Sequence, residues 1–376
     1  MVRTRRISNV VRAAAALIMV GASHAQAQSS VTLYGIISTS LQYASNSGGN
    51  RQYALASGTY QLPRWGLLGR EDLGGRLAAV FRLENGFSIT NGSLSQGGRM
   101  FGRYAYVGLS DARLGTVTLG RQPDEMSTQM SFSESGNTFG SIGTHIGDND
   151  NMYLTVRLNN SARYMSPSWR GLSFAAQYAF SNADNFAQNR AYSGGTTYQN
   201  GPLKMAVAMT EMSGPALAAN ANGAVDSSNY GLSSPFVKSL NEAAVLQQRI
   251  IGAGATYALG TVLFNANYTD VLFNYADASS LRLENAELGI SKRLTPALLV
   301  GAAYLYTWGK YSTDIKPHYQ QVNIGLDYAL SVKTDLFAAA IFQRAGGSAS
   351  YAQIYSLSRS SSHSQTALES GIRVRF

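Results

Sequence analysis

The chain has 376 residues, 45% of them hydrophobic, with 38 glycines, 22 tyrosines, 8 prolines and no cysteine, yet its mean hydropathy is only -0.10. Lack of cysteine excludes disulfides, thiolate catalysis and thiolate metal sites. The formal charge of +9 falls to +5 once the four arginines of the first 28 residues are set aside, and no Lys/Arg run follows them, which argues against nucleic acid as a partner.

Residues 1–27 have the order of a secretory signal peptide: a basic stretch to Arg12, an apolar stretch from Ala13 to Gly21, and the small-x-small triplet Ala25-Gln26-Ala27. The mature chain, 28–376, is read as one domain outside the inner membrane of a bacterium. No apolar run of 18 residues follows the leader, which excludes a helical membrane protein.

Period-two alternation then predicts strands along the whole chain. Val31 to Tyr43 is the first, and Gly48 to Ser57 reads as a loop. Leu62 to Arg70 and Leu73 to Glu84 form a pair joined at Glu71-Asp72; in the second, Ala79, Phe81 and Leu83 alternate with Val80, Arg82 and Glu84, one apolar face and one charged. Phe101 to Ser110 and Leu114 to Arg121 form another pair. Asn151 to Met165, Gly171 to Phe180 and Pro202 to Thr210 come next, followed by a long Ala/Ser/Asn/Gly-rich connection from Glu211 to Gln248. A regular series completes the chain: Arg249 to Leu259, Thr261 to Leu272, Glu284 to Leu294, Ala297 to Gly309, His318 to Leu330, Lys333 to Arg344 and Thr366 to Phe376.

Tight joins such as Leu259-Gly260-Thr261, Thr295-Pro296 and Ser331-Val332 alternate with long polar ones at 273–283, 310–317 and 345–365. That asymmetry matches periplasmic turns and extracellular loops of an outer-membrane barrel. Fifteen candidates are legible, and single-chain bacterial barrels have even strand numbers, so sixteen is expected, with the missing or divided strand in the poorly patterned 181–248 region, and fourteen is the alternative if one candidate is false. At the end, Ile372, Val374 and Phe376 share one face and Arg373 and Arg375 the other, as lipid outside and water inside require.

One connection stands out. Residues 122–150 are too long for a hairpin and too polar for a strand, and hold Asp124, Glu125, Glu134, Asp148 and Asp150. The segment either folds into a barrel and narrows it, or is a mobile surface loop. Arginine on a lipid face costs roughly 2 to 4 kcal/mol near the midplane, which assigns Arg64, Arg82, Arg103, Arg157 and Arg163 to the lumen, with Arg121 at a strand end. A ladder of these arginines facing Asp124, Glu125 and Glu134 across a wet passage would orient dipolar solutes and favour anions. The three histidines beyond the leader, His145, His318 and His363, lack metal spacing, and no GxSxG, HExxH, Walker or dinucleotide motif occurs, so neither enzyme chemistry nor a cofactor is expected. A plugged transporter would need a globular domain where Val31 already starts a strand.

The segments SSVTLYGI, RWGLLGREDLGGRLAAVFRLENGF, FGRYAYVGLSDARLGTVTLGRQ, NNSARYMSP, LGISKRLTP and the terminal GIRVRF, in this order, resemble the Gram-negative general porins, in particular the trimeric β-proteobacterial type. The resemblance covers essentially the mature chain. It implies an all-β, sixteen-stranded antiparallel barrel, a homotrimer with one water-filled pore per subunit, and a third extracellular loop, here 122–150, folded inside as the constriction. It implies contacts with outer-membrane lipid and lipopolysaccharide. The family's arginine of the SR-x-G segment falls on Arg64, where Pro63 replaces the usual Ser, that of F-x-R-x-A on Arg103, and that closing LGRQ on Arg121; Arg82 stands where the family is often neutral. The function so implied is passive diffusion of ions and small hydrophilic solutes, with a substrate-specific channel as the alternative.

Overall fold

A strand facing hydrocarbon must pair every backbone N–H and C=O within the sheet, so a sheet in a membrane has to close on itself. The computed structural model describes residues 29–231 and 234–376, so the leader read at 1–27 lies outside the described residues. The strand segments are β1 (Ser30–Ser47), β2 (Asn50–Ser57), β3 (Arg64–Gly74), β4 (Leu77–Gly86), β5 (Tyr104–Asp111), β6 (Gly115–Gln122), β7 (Leu158–Met165), β8 (Leu172–Ala179), β9 (Arg190–Asn200), β10 (Leu203–Ser213), β11 (Val245–Leu259), β12 (Val262–Tyr275), β13 (Ser280–Arg293), β14 (Leu298–Tyr311), β15 (Pro317–Ala329), β16 (Thr334–Gly347) and β17 (Ser364–Arg375). All neighbours are antiparallel. Two segments share one place in the wall: β1 pairs through Thr39–Ser47 with β2 and through Ser30–Ile36 with β3. Sixteen positions result, and β17 closes the barrel on β1, from Ile36 opposite Arg375 to Ala44 opposite Ala367. Gly35 and Phe376 exchange both backbone hydrogen bonds at 3.1 Å beyond the end of that ladder.

Alternation sorts the side chains. Val107, Leu119, Leu288 and Ile324 point outwards, Leu288 with 68% of its surface exposed, an arrangement that suits lipid. Arg373 and Arg375 point inwards, where Asp327 and Asp335 receive them at 2.6 to 2.9 Å. Tight turns lie at one end; Gly260, at φ 59°, occupies the left-handed conformation that its two-residue turn requires.

The structure departs from the sequence reading at several points. Gly48-Gly49 is a two-residue turn and 50–57 is strand, paired on β1 so that the Tyr43 and Tyr53 rings sit 5.1 Å apart. The β3–β4 ladder runs past Glu71 and Asp72, opposite Ala79 and Ala78, and turns at Gly75-Arg76. The unread strand is β9, within the region where it was expected. Strand β7 begins only at Leu158, not at Asn151: the Asp148 carboxylate accepts the backbone N–H groups of Tyr153 (3.0 Å) and Thr155 (2.9 Å), and Asn151 and Leu154 adopt positive φ, so this stretch turns within the loop instead of joining the ladder.

Not all of the inner wall is wet. Near the loop ends of β10 to β15, Met212, Ile250, Val271, Phe273, Leu281, Leu283 and Tyr319 face inwards and are buried. Phe236 of the 214–244 connection packs on Phe273 and Tyr319, and Tyr275 Oη donates to the Phe236 carbonyl at 2.8 Å. A second connection therefore lies against the inner wall alongside 122–150.

Lipid solvation of the outer face predicts that Leu288→Arg costs roughly 2 to 4 kcal/mol of folding free energy. Equilibrium urea unfolding in phospholipid vesicles reads this; an unchanged midpoint would contradict the outward placement of Leu288.

Candidate functional site

The loop between β6 and β7 occupies the lumen. It runs in short helical turns, and nearly every residue from Arg121 to Met152 is buried or half-buried. It is tied to the inner wall by Thr210 Oγ1 to Asp124 (2.7 Å), Asn265 and Asn267 to the Ser133 carbonyl (2.9 Å each), Gln321 and Asn323 to the Gly143 carbonyl (2.9 and 2.7 Å), and Gln248 to the Asn149 carbonyl (2.8 Å). Hydroxyls and amides serve this purpose because they satisfy backbone groups that a loop inside a barrel would otherwise leave unpaired.

What remains open is a cavity of about 360 Å³ between this loop and the wall of β3 to β5. Arg64, Arg82, Arg103 and Tyr104 line the wall side, and Ser127, Thr128, Ser131 and Asn137 the loop side. Tyr60 and Asn137 also border a second cavity, about 650 Å³, that leads to the tight-turn end past Asp327, Asp335, Arg373 and Arg375.

The three cavity arginines converge on one carboxylate, Glu84, at the C-terminal end of β4. Its Oε1 accepts from Arg103 Nε at 2.6 Å; its Oε2 accepts from Arg82 Nη2 and Tyr34 Oη, both at 2.7 Å, and lies 4.0 Å from Arg64 Nε. Arg82 is further clamped between aromatic rings, its guanidinium carbon 3.8 Å from the Tyr104 centroid and 5.4 Å from that of Tyr34. Arg64 is held least, by the Leu62 carbonyl at 3.2 Å. One anion balancing three cations leaves the wall of the passage with an excess of two positive charges.

The other arginines are placed differently. Arg163 pairs with Glu125 through Nε at 2.5 Å and Nη2 at 3.1 Å. Arg121 reaches Asp226 of the 214–244 connection at 3.0 Å, and Asn159. Arg157 is 2% exposed; Nη1 meets the Thr155 carbonyl at 3.4 Å, and Nε and Nη2 have no protein partner.

Of the three acids expected opposite the ladder, only Glu125 meets an arginine. Asp124 caps the loop's first turn through Ser127 and binds Thr210. Glu134 accepts from Thr144 and Asn137. Arg103 and Tyr104 line the same cavity although they are adjacent, because β5 starts at Tyr104 and leaves Arg103 free of the alternation; a register shift between Gly120 and Gln122 does the same for Arg121. Glu84 was missed as a site residue, although it shares the inward face of Arg82 in the sequence. The roles of Asp226, His145 and Glu287 have no local signal.

Behind the loop lies a wholly buried charge cluster. His145 Nδ1 is 2.7 Å from Asp150 Oδ2 and its Nε2 is 3.4 Å from Glu287 Oε2 of β13; Glu287 also accepts from the Ser135 backbone N–H at 2.6 Å. Burial opposes the charged imidazolium, but Asp150, by Coulomb attraction and hydrogen bonding, and then Glu287 and Glu134 outweigh it and raise the His145 pKa from 6.5 to about 10. Burial, together with Asp150, pushes Asp148 up to about 7. His145 is thus the cation that allows these carboxylates to sit between loop and wall.

The comparisons agree with this architecture. The model of the Gram-negative porin family matches residues 13–348. An outer membrane porin protein of Bordetella pertussis is 30% identical over 399 residues, covering 96% of this chain and 98% of the relative. Outer membrane porin protein 32 of Delftia acidovorans is 26% identical, covering 96% and 97%. Among solved structures, an anion-selective porin from Comamonas acidovorans superposes with a TM-score of 0.75 at 24% identity, covering 93% of this chain and all of that one.

The chain belongs to the Gram-negative porin family. It is a porin-type channel of the outer membrane and not an enzyme.

Because His145 binds its proton more tightly in the folded state, its contribution is complete below pH 6.5 and is lost as pH rises through about 10. Above pH 7 Asp148 has already ionised, so the thermal midpoint of the native barrel is expected to fall between pH 7 and 10 through His145. In His145→Gln that slope should flatten; an equal slope in the variant would remove His145 from the anchoring of the loop.

Proposed function

We propose that this porin passes ions and small hydrophilic solutes along the arginine wall with a preference for anions. The observation that carries the reading is the convergence of Arg64, Arg82 and Arg103 on Glu84 alone, beside a loop face that turns hydroxyls, an amide and apolar side chains to the cavity and no charged one. Uncompensated cations in a narrow wet passage raise the local concentration of anions and lower that of cations. In this reading Arg64, Arg82 and Arg103 face the solute, Arg121, Arg157 and Arg163 form a second rank, Glu125 anchors the root of the constriction loop through Arg163, and Asp124 and Glu134 hold its fold. The anion selectivity named for the Comamonas porin accords with it.

The resemblance to trimeric porins further supports a homotrimer, with lipid and lipopolysaccharide around its outer face, and removal of residues 1–27 on export. A substrate-specific channel remains a second reading, favoured by the packing of the 214–244 connection inside the barrel beside the constriction loop. Repeated brief blockade of the ion current by one solute class, and none by its size-matched analogues, would select that reading.

The test of anion preference is reversal potential in a planar bilayer under a KCl gradient. The wild type should favour chloride. Arg64→Glu reverses two units of charge and should lower the chloride-over-potassium ratio several-fold, since a unit charge about 10 Å away in water changes an ion's local concentration about twofold. Cation preference of the wild type, or an unmoved potential in the variant, would overturn the assignment. Unheated gel mobility, with three-level channel closures, checks the trimer.

A further inference from the structure

The 214–244 connection reaches from β10 to the ends of β6 and β7 and presents one carboxylate there, Asp226. Asp226 Oδ2 accepts from Arg121 Nη1 at 3.0 Å and from Asn159 Nδ2 at 3.0 Å; its Oδ1 lies 3.4 Å from Arg99 Nη1 and accepts from the Ser228 backbone N–H at 3.0 Å and from Ser228 Oγ. Arg99 Nη1 in turn donates to Ser228 Oγ at 2.5 Å. Apart from Ser228 of the same connection, these partners come from three elements: the 87–103 connection, the end of β6 and the start of β7. The approach is close, for a Cβ on Gly97 would come within 2.4 Å of Ser228 Cβ.

The position is enforced from both flanks. On one, Asn189 holds the chain like a third strand: its Nδ2 donates to the carbonyls of Asn220 (2.8 Å) and Val225 (2.9 Å), its Oδ1 accepts from the Val225 N–H (2.8 Å), and the Asn159 N–H donates to the Ala224 carbonyl (2.8 Å). On the other, Tyr230 Oη donates to Gln248 at 2.9 Å, and Phe236 is buried against the aromatic wall. Asp226 itself is 5% exposed. Burial opposes its charge, yet Ser228, Arg121, Asn159 and Arg99 hold its pKa below the usual carboxylate range, so it is an anion at any working pH.

Beneath this clasp lie guanidinium nitrogens with nothing to bind. Arg121 Nη2, Arg103 Nη1, and Arg157 Nε and Nη2 are buried without a hydrogen-bond partner. Arg157 and Arg121 do not line the passage, whereas Arg64, Arg82 and Arg103 do. Five arginines, Arg64, Arg82, Arg99, Arg103 and Arg121, thus share two carboxylates, Glu84 and Asp226, and Arg157 pairs with neither.

We propose that Asp226 is a selectivity-determining residue: by bridging Arg99 and Arg121 it both seats the 214–244 connection over the mouth and cancels part of the positive charge that an entering ion meets. Glu84 then sets the charge of the passage, and Asp226 sets that of the approach to it. The proposal rests on the reading of the arginine wall as the conducting path, and its test is a difference from wild type, so that an error in the wild-type preference does not decide it.

Asp226→Asn keeps the size and one of the two accepting oxygens and removes the charge. Under a KCl gradient its reversal potential should move towards the chloride limit, with a chloride-over-potassium ratio raised up to about fourfold, since a unit charge about 10 Å away in water changes the local concentrations of anion and cation about twofold each in opposite directions. Asp226→Ala, which also frees the connection, should show the same shift with a larger single-channel conductance. Gel mobility of the unheated variants confirms that the barrel is folded, and Asn189→Ala, which loosens the connection but keeps the carboxylate, separates seat from charge. It should raise conductance with a smaller shift than Asp226→Asn. An unmoved reversal potential in Asp226→Asn, or an equal shift in Asn189→Ala, would overturn the proposal.

Discussion

The constraint on which everything else depends is that a sheet in hydrocarbon cannot leave an edge. Closure of β17 on β1 makes each residue's side a matter of parity, apolar outwards and solvated inwards. Water inside is what makes inward arginines such as Arg64 and Arg82 tolerable in the wall, and in the proposed reading they give the channel its electrostatic character. Closure also fixes where function can vary. Strands are committed to the ladder, so the width of the passage is left to connections that fold back inside, while its charge is carried by inward side chains of the wall as well.

Two connections do so here, by different physics. The 122–150 segment is bound by polar contacts, with wall asparagines and glutamines pairing its backbone and a buried His145, Asp150 and Glu287 cluster behind it. The 214–244 segment is bound by an apolar seat on Phe273 and Tyr319 at one flank and by Asp226 at its tip. They meet: a Cβ on Gly147, at φ 66°, would lie 2.6 Å from Ser234 Cα. Each helps to bury the other where Gly147 to Asn149 meet Tyr230 and Ser234.

Most of the barrel was legible because its signal is repeated in every strand. Alternation, turn asymmetry and the terminal Ile372, Val374 and Phe376 need no tertiary knowledge. What escaped notice lacks contrast. Strand β9 is polar on its inner face and carries Gly194 and Gly195, and β2 begins with Asn50, Arg51 and Gln52. Tyr153, Leu154 and Val156 mimic a strand, but the carboxylate of Asp148 captures the backbone that would have joined the ladder. At the site, the inward arginines could be read from the cost of placing them in lipid. Their counter-ion could not: nothing local distinguishes Glu84 from a solvated wall residue, and Asp226 lies 105 positions from Arg121. Parity also fails where strands end, so Arg103 and Tyr104 both reach the cavity.

The distribution of charge is more asymmetric than opposed rows of arginines and acids would give. An acid facing an arginine across a narrow passage pairs with it, and the gain in field comes with a loss of net charge. Here most of the loop's carboxylates are satisfied away from the passage, Asp124 and Asp150 by wall hydroxyls and His145, Glu134 and Asp148 by groups of the same β6–β7 connection, and the surface turned to the passage is neutral. The loop therefore narrows the pore without cancelling the charge opposite. Glu125, the exception, pairs with Arg163 at the loop's root, outside the set of residues that line the cavity. A one-sided field of this kind orients a dipolar solute less than opposed rows would and concentrates anions more, since no negative partner across the gap offsets the potential of Arg64, Arg82 and Arg103. Glu84 does not undo this: sitting within the wall among its three cations, it fixes their positions at short range and leaves their excess charge to act across the water.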